Sequence, residues 1–196
     1  MLTIVSVVLA YLIGSISSST IVGKWFKKMD IRDHGSGNAG ATNTLRVLGW
    51  KWAVVVLAAD ILKGIVAILL AWHFGHGSVW TTYLSGLAVI AGHNWPLYFG
   101  FRGGKGIATT IGVLVLVMFV PALLAGIIAI ALVVVTRYVS LGALTFTILT
   151  PVFVILLQHH VGAAVFAAIV ALFSIYRHRA NIGRLIRGEE HRVFSK

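Results

Sequence analysis

The chain has 196 residues, of which 59% are hydrophobic and only 11% charged, whereas a soluble domain usually carries about 25% charged residues. This composition excludes a soluble globular domain, a disordered chain and an ordinary DNA-binding module, and it is typical of an integral membrane protein. Sixteen lysines and arginines against five acids give a net charge of +11. Because these cations must fit between long apolar runs, they favour an anionic lipid or substrate over nucleic acid. The absence of cysteine excludes disulfides and thiolate catalysis.

Long apolar windows recur along the chain, at residues 2–22, 52–72, 79–99, 107–136, 141–157 and 161–176. A hydrocarbon core of about 30 Å takes roughly 20 helical residues. The first three windows therefore fit one pass each, and the last two are short for a span. The window 107–136 is either one tilted helix kinked at Pro121 or two short helices that meet near residues 120–121.

The distribution of charge favours two passes for that window. With seven passes and the N-terminus outside, 15 of the 16 cations lie on the cytoplasmic side, as the positive-inside tendency requires. The sequence therefore predicts an all-α integral membrane protein, a bundle of about seven transmembrane helices with the N-terminus outside and the C-terminus cytoplasmic. We expect a single domain over residues 1–196, with cytoplasmic polar segments at 23–51, 100–106 and 177–196. The N-terminal run lacks the basic region of a cleaved signal peptide and continues as a span to residue 22.

The first polar segment contains a glycine-rich stretch, DHGSGNAGATNTLR at residues 33–46. It contains G-x-G-x-x-G, but a Rossmann site needs a preceding strand, and a transmembrane helix precedes this stretch instead. Glycines still let successive backbone N–H groups approach an anion. The same stretch contains neutral side-chain hydrogen-bond donors and an arginine, whose planar guanidinium can bind two phosphate oxygens. The candidate residues are Ser36, Gly37, Asn38, Thr42, Asn43 and Arg46. The alternative is a flexible loop of turn-forming residues.

The second polar segment contains FRGGKG at residues 101–106, directly before an apolar run. It is not a Walker A motif, because Phe99 stands where the first glycine belongs and Gly106 replaces Ser or Thr. A glycine-rich turn with a lysine at the start of a helix still offers N–H groups and the positive dipole end to an anion. Gly103, Gly104 and Lys105 are therefore candidates. The alternative is a short turn with two topogenic cations.

The third polar segment contains YRHRANIGRL at residues 176–185. If it is helical, His178 and Asn181 lie on one face, and Asn181 and Arg184 are neighbours. This pattern is typical of a catalytic or phosphate-binding face, or of a juxtamembrane basic segment held by anionic lipid.

Few ionisable residues fall inside the spans. Asp60 and Lys63 are three apart on one helix and can pair, either as structural support for the site or for direct chemistry. His93 ends the third span near the cytoplasmic interface, where it either packs or contacts phosphate. The remaining histidines at the opposite side have no accompanying carboxylate, which favours interfacial side chains over a zinc cluster; they are His73, His76, His159 and His160.

Five motifs in the same order resemble those of the membrane acyl-phosphate:glycerol-3-phosphate acyltransferase family of bacterial phospholipid synthesis. They are GSGNAGATN at 35–43, DILKG at 60–64, GHN at 92–94, GGKG at 103–106 and HRANIGRL at 178–185, and the resemblance covers essentially the whole chain. It implies a seven-helix bundle that transfers a fatty acyl group from acyl phosphate to the 1-hydroxyl of sn-glycerol 3-phosphate. The products would be 1-acylglycerol 3-phosphate (lysophosphatidic acid) and phosphate, with neither acyl-CoA nor acyl carrier protein as direct donor.

The residues themselves suggest a mechanism for this reaction. No His-x-x-x-x-Asp pair occurs, and no serine has evident His/Asp support as a nucleophile. Because acyl phosphate is already activated, positioning and charge neutralisation can carry most of the rate. We predict direct attack by the glycerol hydroxyl, whose proton passes to a substrate phosphate oxygen or to His178.

The predicted site follows from these motifs. The expected catalytic residues are His178, Asn181 and Ser36. The expected phosphate-binding residues are the candidates of the first two segments together with His93 and Arg184, and Asp60 and Lys63 support them. We expect membrane lipid as surroundings, a bacterial inner-membrane location with the site facing the cytoplasm, and no metal, cofactor, nucleic acid or required protein partner.

Two other classes of protein remain as alternatives. An anion transporter or channel would use the same glycine-rich loops, but the polar residues lie on one side, and only two ionisable residues lie deep in the spans. A non-catalytic membrane scaffold would not explain three polar elements on one side.

Overall fold

A computed structural model describes residues 2–158 and 160–193, which form α-helices and short 3-10 turns and no strand. The chain divides into two compact units, one up to Val117 and the other from Met118 onward. Helices of the first unit are α1 (Leu2–Gly14), α2 (Ser18–Lys27), α3 (Ala41–Leu48), α4 (Trp50–Gly75), α5 (Val79–Asn94) and α6 (Ile107–Val117), with 3-10 turns at Ile31–Asp33 and Leu97–Phe99. Helices of the second unit are α7 (Phe119–Thr136), α8 (Val139–Gln158), α9 (Val161–Arg177) and α10 (Arg179–Ile186).

Four segments of the described chain are long and apolar enough to cross a membrane: Leu2–Lys27, Trp50–Gly75, Phe119–Thr136 and Val139–Gln158. The pair α9 and α10, bent by 66° at His178, would make a fifth. Helices α5 and α6, with 16 and 11 residues, are shorter than the roughly 20 residues of a full perpendicular span. The all-helical membrane class predicted from composition is confirmed.

The first apolar window is interrupted, although its hydropathy is continuous. Helix α1 ends at Gly14 and α2 begins at Ser18. Lys63 of α4 donates from Nζ to the carbonyl oxygens of Gly14 at 3.1 Å and Ile16 at 2.9 Å. Because a helix end leaves carbonyls without an intrahelical partner, the buried ammonium compensates for the break. The run to residue 22 thus belongs to one candidate span, Leu2–Lys27, as expected, but two helices form it.

Two further boundaries differ from the predicted windows. Helix α5 ends at Asn94 rather than at residue 99, and Pro96 follows two residues later. The window 107–136 consists of two helices, and they are separated at Met118 rather than near residues 120–121. Pro121 lies in the first turn of α7, where its missing N–H leaves no intrahelical bond unmade.

Close helix packing positions the polar segments of the first unit. Helix α4 packs against α6 through glycines: a Cβ at Gly64 would overlap the Thr109 carbonyl oxygen, and one at Gly112 would overlap that of Ile61. Small residues at such crossings let helix backbones approach in a membrane. Through this contact, α4, which carries Asp60 and Lys63, is fixed beside α6, which begins directly after the second polar segment.

Candidate active site

The first glycine-rich stretch is shaped by one buried amide, that of Asn43 in α3. Its Nδ2 donates to the carbonyl oxygens of Ile31 and His34, both at 3.0 Å, and its Oδ1 accepts from the Ser36 N–H at 2.8 Å. The side chain of Asn43, expected to bind phosphate, therefore holds the loop in shape from within. Of the other predicted members, Ser36, Gly37 and Arg46 are exposed, and Asn38 and Thr42 are partly buried.

The second glycine-rich stretch contacts the first at Gly104. Its backbone N–H donates to the His93 carbonyl oxygen at 3.1 Å. A Cβ on Gly104 would overlap both His93 Nε2 and the Ala39 carbonyl oxygen, so only glycine fits at this position. Gly103 is buried beside it, and Lys105 is partly buried. The structure thus brings together two of the three predicted segments and His93.

A buried network of charged side chains lies next to His93, on which Gly104 packs. Asp60 Oδ1 is 2.9 Å from Lys63 Nζ and 3.7 Å from His93 Nδ1, and it accepts from Ser18 Oγ at 2.9 Å. Asp60 is 1% exposed and Lys63 7%. The two residues form the ion pair that their spacing predicts, and the carboxylate lies beside the imidazole that contacts Gly104.

Arg32, which sequence reasoning missed, links the first polar segment to the second. Its Nη1 donates to the carbonyl oxygens of Phe99 at 2.7 Å and Arg102 at 3.4 Å. Its Nη2 pairs with Asp30 Oδ2 at 2.7 Å. The side-chain hydrogen bond from Arg32 lowers the pKa of Asp30 to about 2, and the same bond raises the pKa of Arg32. The Asp-x-Arg spacing predicts the local pair but not the contacts about 70 residues away.

Asn94 is a second residue that sequence reasoning did not select. It is fully buried at the end of α5, and neither amide atom has a hydrogen-bond partner among the described residues. Its Oδ1 lies 2.8 Å from the position of a Cβ on Gly106. Buried amides are nearly always satisfied, so this one marks a polar position under the second glycine-rich stretch. The GHN motif that contains Asn94 does not indicate that its amide is buried in this way.

In the second unit, His178 lies at the bend between α9 and α10 and is buried. Its Nδ1 is 2.9 Å from the Ser174 carbonyl oxygen. Because a carbonyl only accepts, this contact assigns the proton of the neutral ring to Nδ1 and the lone pair to Nε2.

Asn181 and Arg184 are joined through Glu190, another residue missed from sequence. Glu190 Oε1 accepts from Asn181 Nδ2 at 2.6 Å and from Ser140 Oγ at 2.9 Å, and its Oε2 accepts from Arg184 Nε at 2.8 Å. Burial alone would raise the pKa of Glu190, but the hydrogen bonds from Asn181, Ser140 and Arg184 outweigh it and lower the pKa below its ordinary value. The carboxylate thus fixes two predicted site residues.

The remaining histidines do not assemble a metal site among the described residues, where no cluster of three His, Asp or Glu occurs. His73 and His76 lie at the end of α4. His160 caps α9, accepting from the Ala163 N–H at 3.1 Å. His159 lies outside the described residues.

Comparison with known proteins places the chain in a family. A family model described as glycerol-3-phosphate acyltransferase matches residues 4–188. The chain belongs to the glycerol-3-phosphate acyltransferase family. It is 50% identical to the glycerol-3-phosphate acyltransferase of Shouchella clausii, over 98% of this chain and 97% of the relative. It is 53% identical to that of Halalkalibacterium halodurans, over 95% and 93%.

Solved structures of this acyltransferase family are similar to the chain as well. One is a crystal structure of PlsY (YgiH), an integral membrane glycerol 3-phosphate acyltransferase, in its glycerol 3-phosphate form: TM-score 0.91 and 41% identity, over 97% of this chain and 95% of that one. Another is the lysophosphatidic acid form, with TM-score 0.87 and 40% identity, over 97% and 94%. The family resemblance drawn from five motifs is confirmed.

Proposed function

We propose that this chain transfers a fatty acyl group from acyl phosphate to the 1-hydroxyl of sn-glycerol 3-phosphate, the first acylation of phospholipid synthesis. The hydroxyl oxygen forms an ester bond with the acyl carbon while the bond from that carbon to phosphate breaks. The products are 1-acylglycerol 3-phosphate and inorganic phosphate. Membership of the family supports this reaction, as do the glycerol 3-phosphate and lysophosphatidic acid forms of the related PlsY.

The observation that carries the proposal is the contact of two glycine-rich segments at Gly104. Both substrates bear a phosphate, and each segment is of the kind that presents backbone N–H groups to an anion. In the proposed site, Arg46 and Lys105 provide the positive charge by charge-assisted hydrogen bonds, and Gly37, Asn38, Thr42 and Gly103 line it. Asn43 shapes the first loop, and Asp60 and Lys63 support His93.

The proposed chemistry is direct transfer without an acyl-enzyme. Acyl phosphate is a mixed anhydride with a good leaving group, so positioning and charge neutralisation supply the rate. Ser36 and Asn181 orient the reacting groups, and Arg184 binds phosphate through the N–H groups that Glu190 does not use. The hydroxyl proton passes to a substrate phosphate oxygen. His178, with its lone pair at Nε2, is the second candidate acceptor.

The proposed topology has seven passes, an outside N-terminus and a site that faces the cytoplasm of a bacterial inner membrane, with all 196 residues forming one functional domain. The helix boundary at Met118 and the positive-inside tendency support it. In this cysteine-free chain, Ser36→Cys and Ala180→Cys should react with an impermeant maleimide only from the cytoplasm. Val161→Cys should react only from outside, and reaction of Ala180→Cys from outside would contradict seven passes.

The donor is tested with the purified full chain, radiolabelled glycerol 3-phosphate, and either palmitoyl phosphate or palmitoyl-CoA. We expect lysophosphatidic acid with palmitoyl phosphate alone, at a rate that EDTA does not change. Product from palmitoyl-CoA, or a rate that EDTA abolishes and a divalent ion restores, would contradict the proposed chemistry.

Phosphate binding is tested at Arg46. A charge-assisted hydrogen bond contributes roughly 1.5–3 kcal/mol, so Arg46→Ala should lower kcat/KM by about 10- to 150-fold. Arg46→Lys should recover only part, because a point charge does not reproduce the guanidinium fork. Lys51→Ala, which removes an exposed cation nearby in the sequence, is the matched control. An equal loss in both alanine variants would show a general effect of charge and refute the assignment.

A further inference from the structure

Arg32 contacts both glycine-rich stretches at once, one with its backbone and the other with its side chain. Its carbonyl oxygen lies 3.2 Å from the position of a Cβ on Gly37, in the first stretch. Its Nη1 donates to the carbonyl oxygens of Phe99 at 2.7 Å and Arg102 at 3.4 Å, where the second stretch begins. A single residue therefore joins the two stretches in which we place the substrate phosphates.

The backbone on either side of Arg32 is held by hydrogen bonds. Ile31 is fully buried, and its carbonyl oxygen accepts from Asn43 Nδ2 at 3.0 Å. The N–H of Arg32 donates to Asp30 Oδ1 at 3.0 Å, and Asp30 caps the 3-10 turn Ile31–Asp33. Because both neighbours are held, the side chain of Arg32 extends from a fixed point of the first polar segment.

The guanidinium of Arg32 is almost fully engaged within the chain. Nε donates to Asp30 Oδ1 at 2.9 Å and Nη2 donates to Asp30 Oδ2 at 2.7 Å, so the two side chains form a two-point pair. With the two carbonyl contacts of Nη1, four of the five N–H groups have acceptors. The Asp30 carboxylate also offsets the positive charge. These contacts favour a role for Arg32 that differs from the phosphate binding proposed for Arg46.

The two carbonyls that Arg32 contacts lie on either side of a strained turn. Gly100 and Phe101 both have left-handed backbone conformations, with φ of 64° and 58°. A residue other than glycine adopts this conformation at a cost, so surrounding contacts must maintain it. Arg32 supplies such contacts at Phe99 and Arg102. Without them we expect the turn to relax and the glycines that follow it to move.

We propose that Arg32 is a positioning residue for acyl transfer, which sets the separation of the two glycine-rich stretches and therefore of the two substrates bound to them. This inference rests on the proposed function. Direct transfer requires the attacking hydroxyl and the acyl carbon to be held about 3–3.5 Å apart, and a misplacement of about 1 Å costs on the order of 10²-fold in rate. Each substrate keeps its own phosphate-binding groups when Arg32 is lost, so the loss should appear in kcat and not in binding.

The test compares Arg32→Gln and Arg32→Lys in the purified full chain, with radiolabelled glycerol 3-phosphate and palmitoyl phosphate. Arg32→Gln should lower kcat by ~10²-fold while the KM of each substrate changes by less than about 3-fold. Arg32→Lys keeps the charge but cannot contact Asp30 and both carbonyls together, so its kcat should stay at least ~10-fold below that of the unmodified protein. Lys27→Gln removes an exposed cation at the end of α2 and should leave kcat and both KM values unchanged.

A second measurement reports the position of the turn without turnover. Hydrogen exchange followed by mass spectrometry should be faster across residues 97–104 in Arg32→Gln than in the unmodified protein, and unchanged in Lys27→Gln. This range includes the N–H groups of Phe101 and Gly104, which donate to the carbonyl oxygens of Pro96 and His93. Their exchange therefore reports both the turn and the second glycine-rich stretch.

Three outcomes would overturn the proposal. The first is a rise of ~10-fold or more in one KM with kcat unchanged, which would make Arg32 a substrate ligand. The second is an equal change of kcat in Arg32→Gln and Lys27→Gln, and the third is unchanged exchange across residues 97–104. If Arg32→Gln does not fold, Asp30→Asn, which keeps the carbonyl contacts but removes the charged pair, should lower kcat by about 3- to 10-fold with both KM values unchanged.

Failure of the proposed function would look different. An unmodified protein that makes no product from palmitoyl phosphate would contradict the proposed function before any variant is compared. Exchange across residues 97–104 would then still decide whether Arg32 holds the second glycine-rich stretch in place.

Discussion

The buried pair of Asp60 and Lys63 offers the sharpest test of how the first unit is held together. Lys63 Nζ contacts the Asp60 carboxylate and the carbonyl oxygens of Gly14 and Ile16. Lys63→Met keeps most of the side-chain volume but leaves the buried carboxylate without its ammonium partner and the two carbonyls without this donor. Breaking a buried ion pair by removing one partner costs about 3–5 kcal/mol, a large part of a typical free energy of unfolding of about 5–15 kcal/mol.

A second substitution separates charge from shape. Asp60→Asn removes the buried negative charge, so adding it to Lys63→Met should raise stability above that of Lys63→Met alone. The reason is that a neutral amide costs less to bury than an unpaired carboxylate. The coupling energy between the two positions should be roughly 2–3 kcal/mol, at the upper end for residues in contact. Asp60→Asn alone should cost less than Lys63→Met, because Lys63 keeps two carbonyl acceptors.

The measurement is thermal unfolding of the purified variants in one detergent, followed by far-UV circular dichroism, with glycerol 3-phosphate binding as a second readout. Lys51→Met lies on the same helix, is exposed, and should stay within about 0.5 kcal/mol of the unmodified protein. If Lys63→Met unfolds with the control, or if the double variant shows the simple sum of the two single losses, the pair does not support the break between α1 and α2.

Three further predictions concern substitutions in the two compact units. Gly104→Ala should reduce stability by about 1–3 kcal/mol and lower activity, because its Cβ would overlap His93 and Ala39. Gly126→Ala, where the nearest atom is 3.9 Å away, should do neither. His178→Asn should retain substantial turnover and the same acidic limb of the pH–rate profile if substrate phosphate takes the proton; a variant that folds and binds glycerol 3-phosphate but does not turn over would make His178 the base. Glu190→Gln should lose about 1–3 kcal/mol at neutral pH, since an amide cannot accept from Arg184 while serving its other donors. The pKa of Glu190 is lowered, so its contribution is present above the ordinary carboxyl pKa and fades as pH falls below about 4, which thermal scans from pH 7 to 3 should show.

Hydropathy predicted most helices to within a few residues because lipid imposes a simple rule. A segment in hydrocarbon must satisfy its own backbone hydrogen bonds, so a long apolar run has to be helical. The runs starting near residues 52, 141 and 161 accordingly match α4, α8 and α9 closely. Hydropathy does not reveal the break after Gly14, because Lys63 supplies the missing hydrogen-bond donor from a position 49 residues away in the sequence. The hydropathy averaged over a window depends only on the composition of that window, so it contains no information about such a distant partner.

The candidate site was predictable in its residue types and less so in its contacts. Glycines next to cations indicate anion binding from local chemistry alone, which is why both glycine-rich stretches could be selected. Gly104 lies against Ala39 and His93 because of how α4, α5 and α6 pack. The spacing of these residues in the sequence does not predict the contact. Glu190 was missed because the sequence of a basic tail does not show that one of its acids is buried against Ser140, Asn181 and Arg184.

The acids of this chain explain how a net charge of +11 can serve binding. Four of the five pair with a cation within 3 Å, in the pairs Asp30–Arg32, Asp60–Lys63, Glu189–Arg187 and Glu190–Arg184. Three of these pairs also hold backbone carbonyls or polar side chains in place. These four acids thus fix local structure, and the fifth, Asp33, is the first residue of the first glycine-rich stretch. Where no carboxylate competes, an arginine or lysine beside backbone N–H groups attracts an external phosphate most strongly, so in the proposed site the cations without a carboxylate partner are the ones expected to meet substrate.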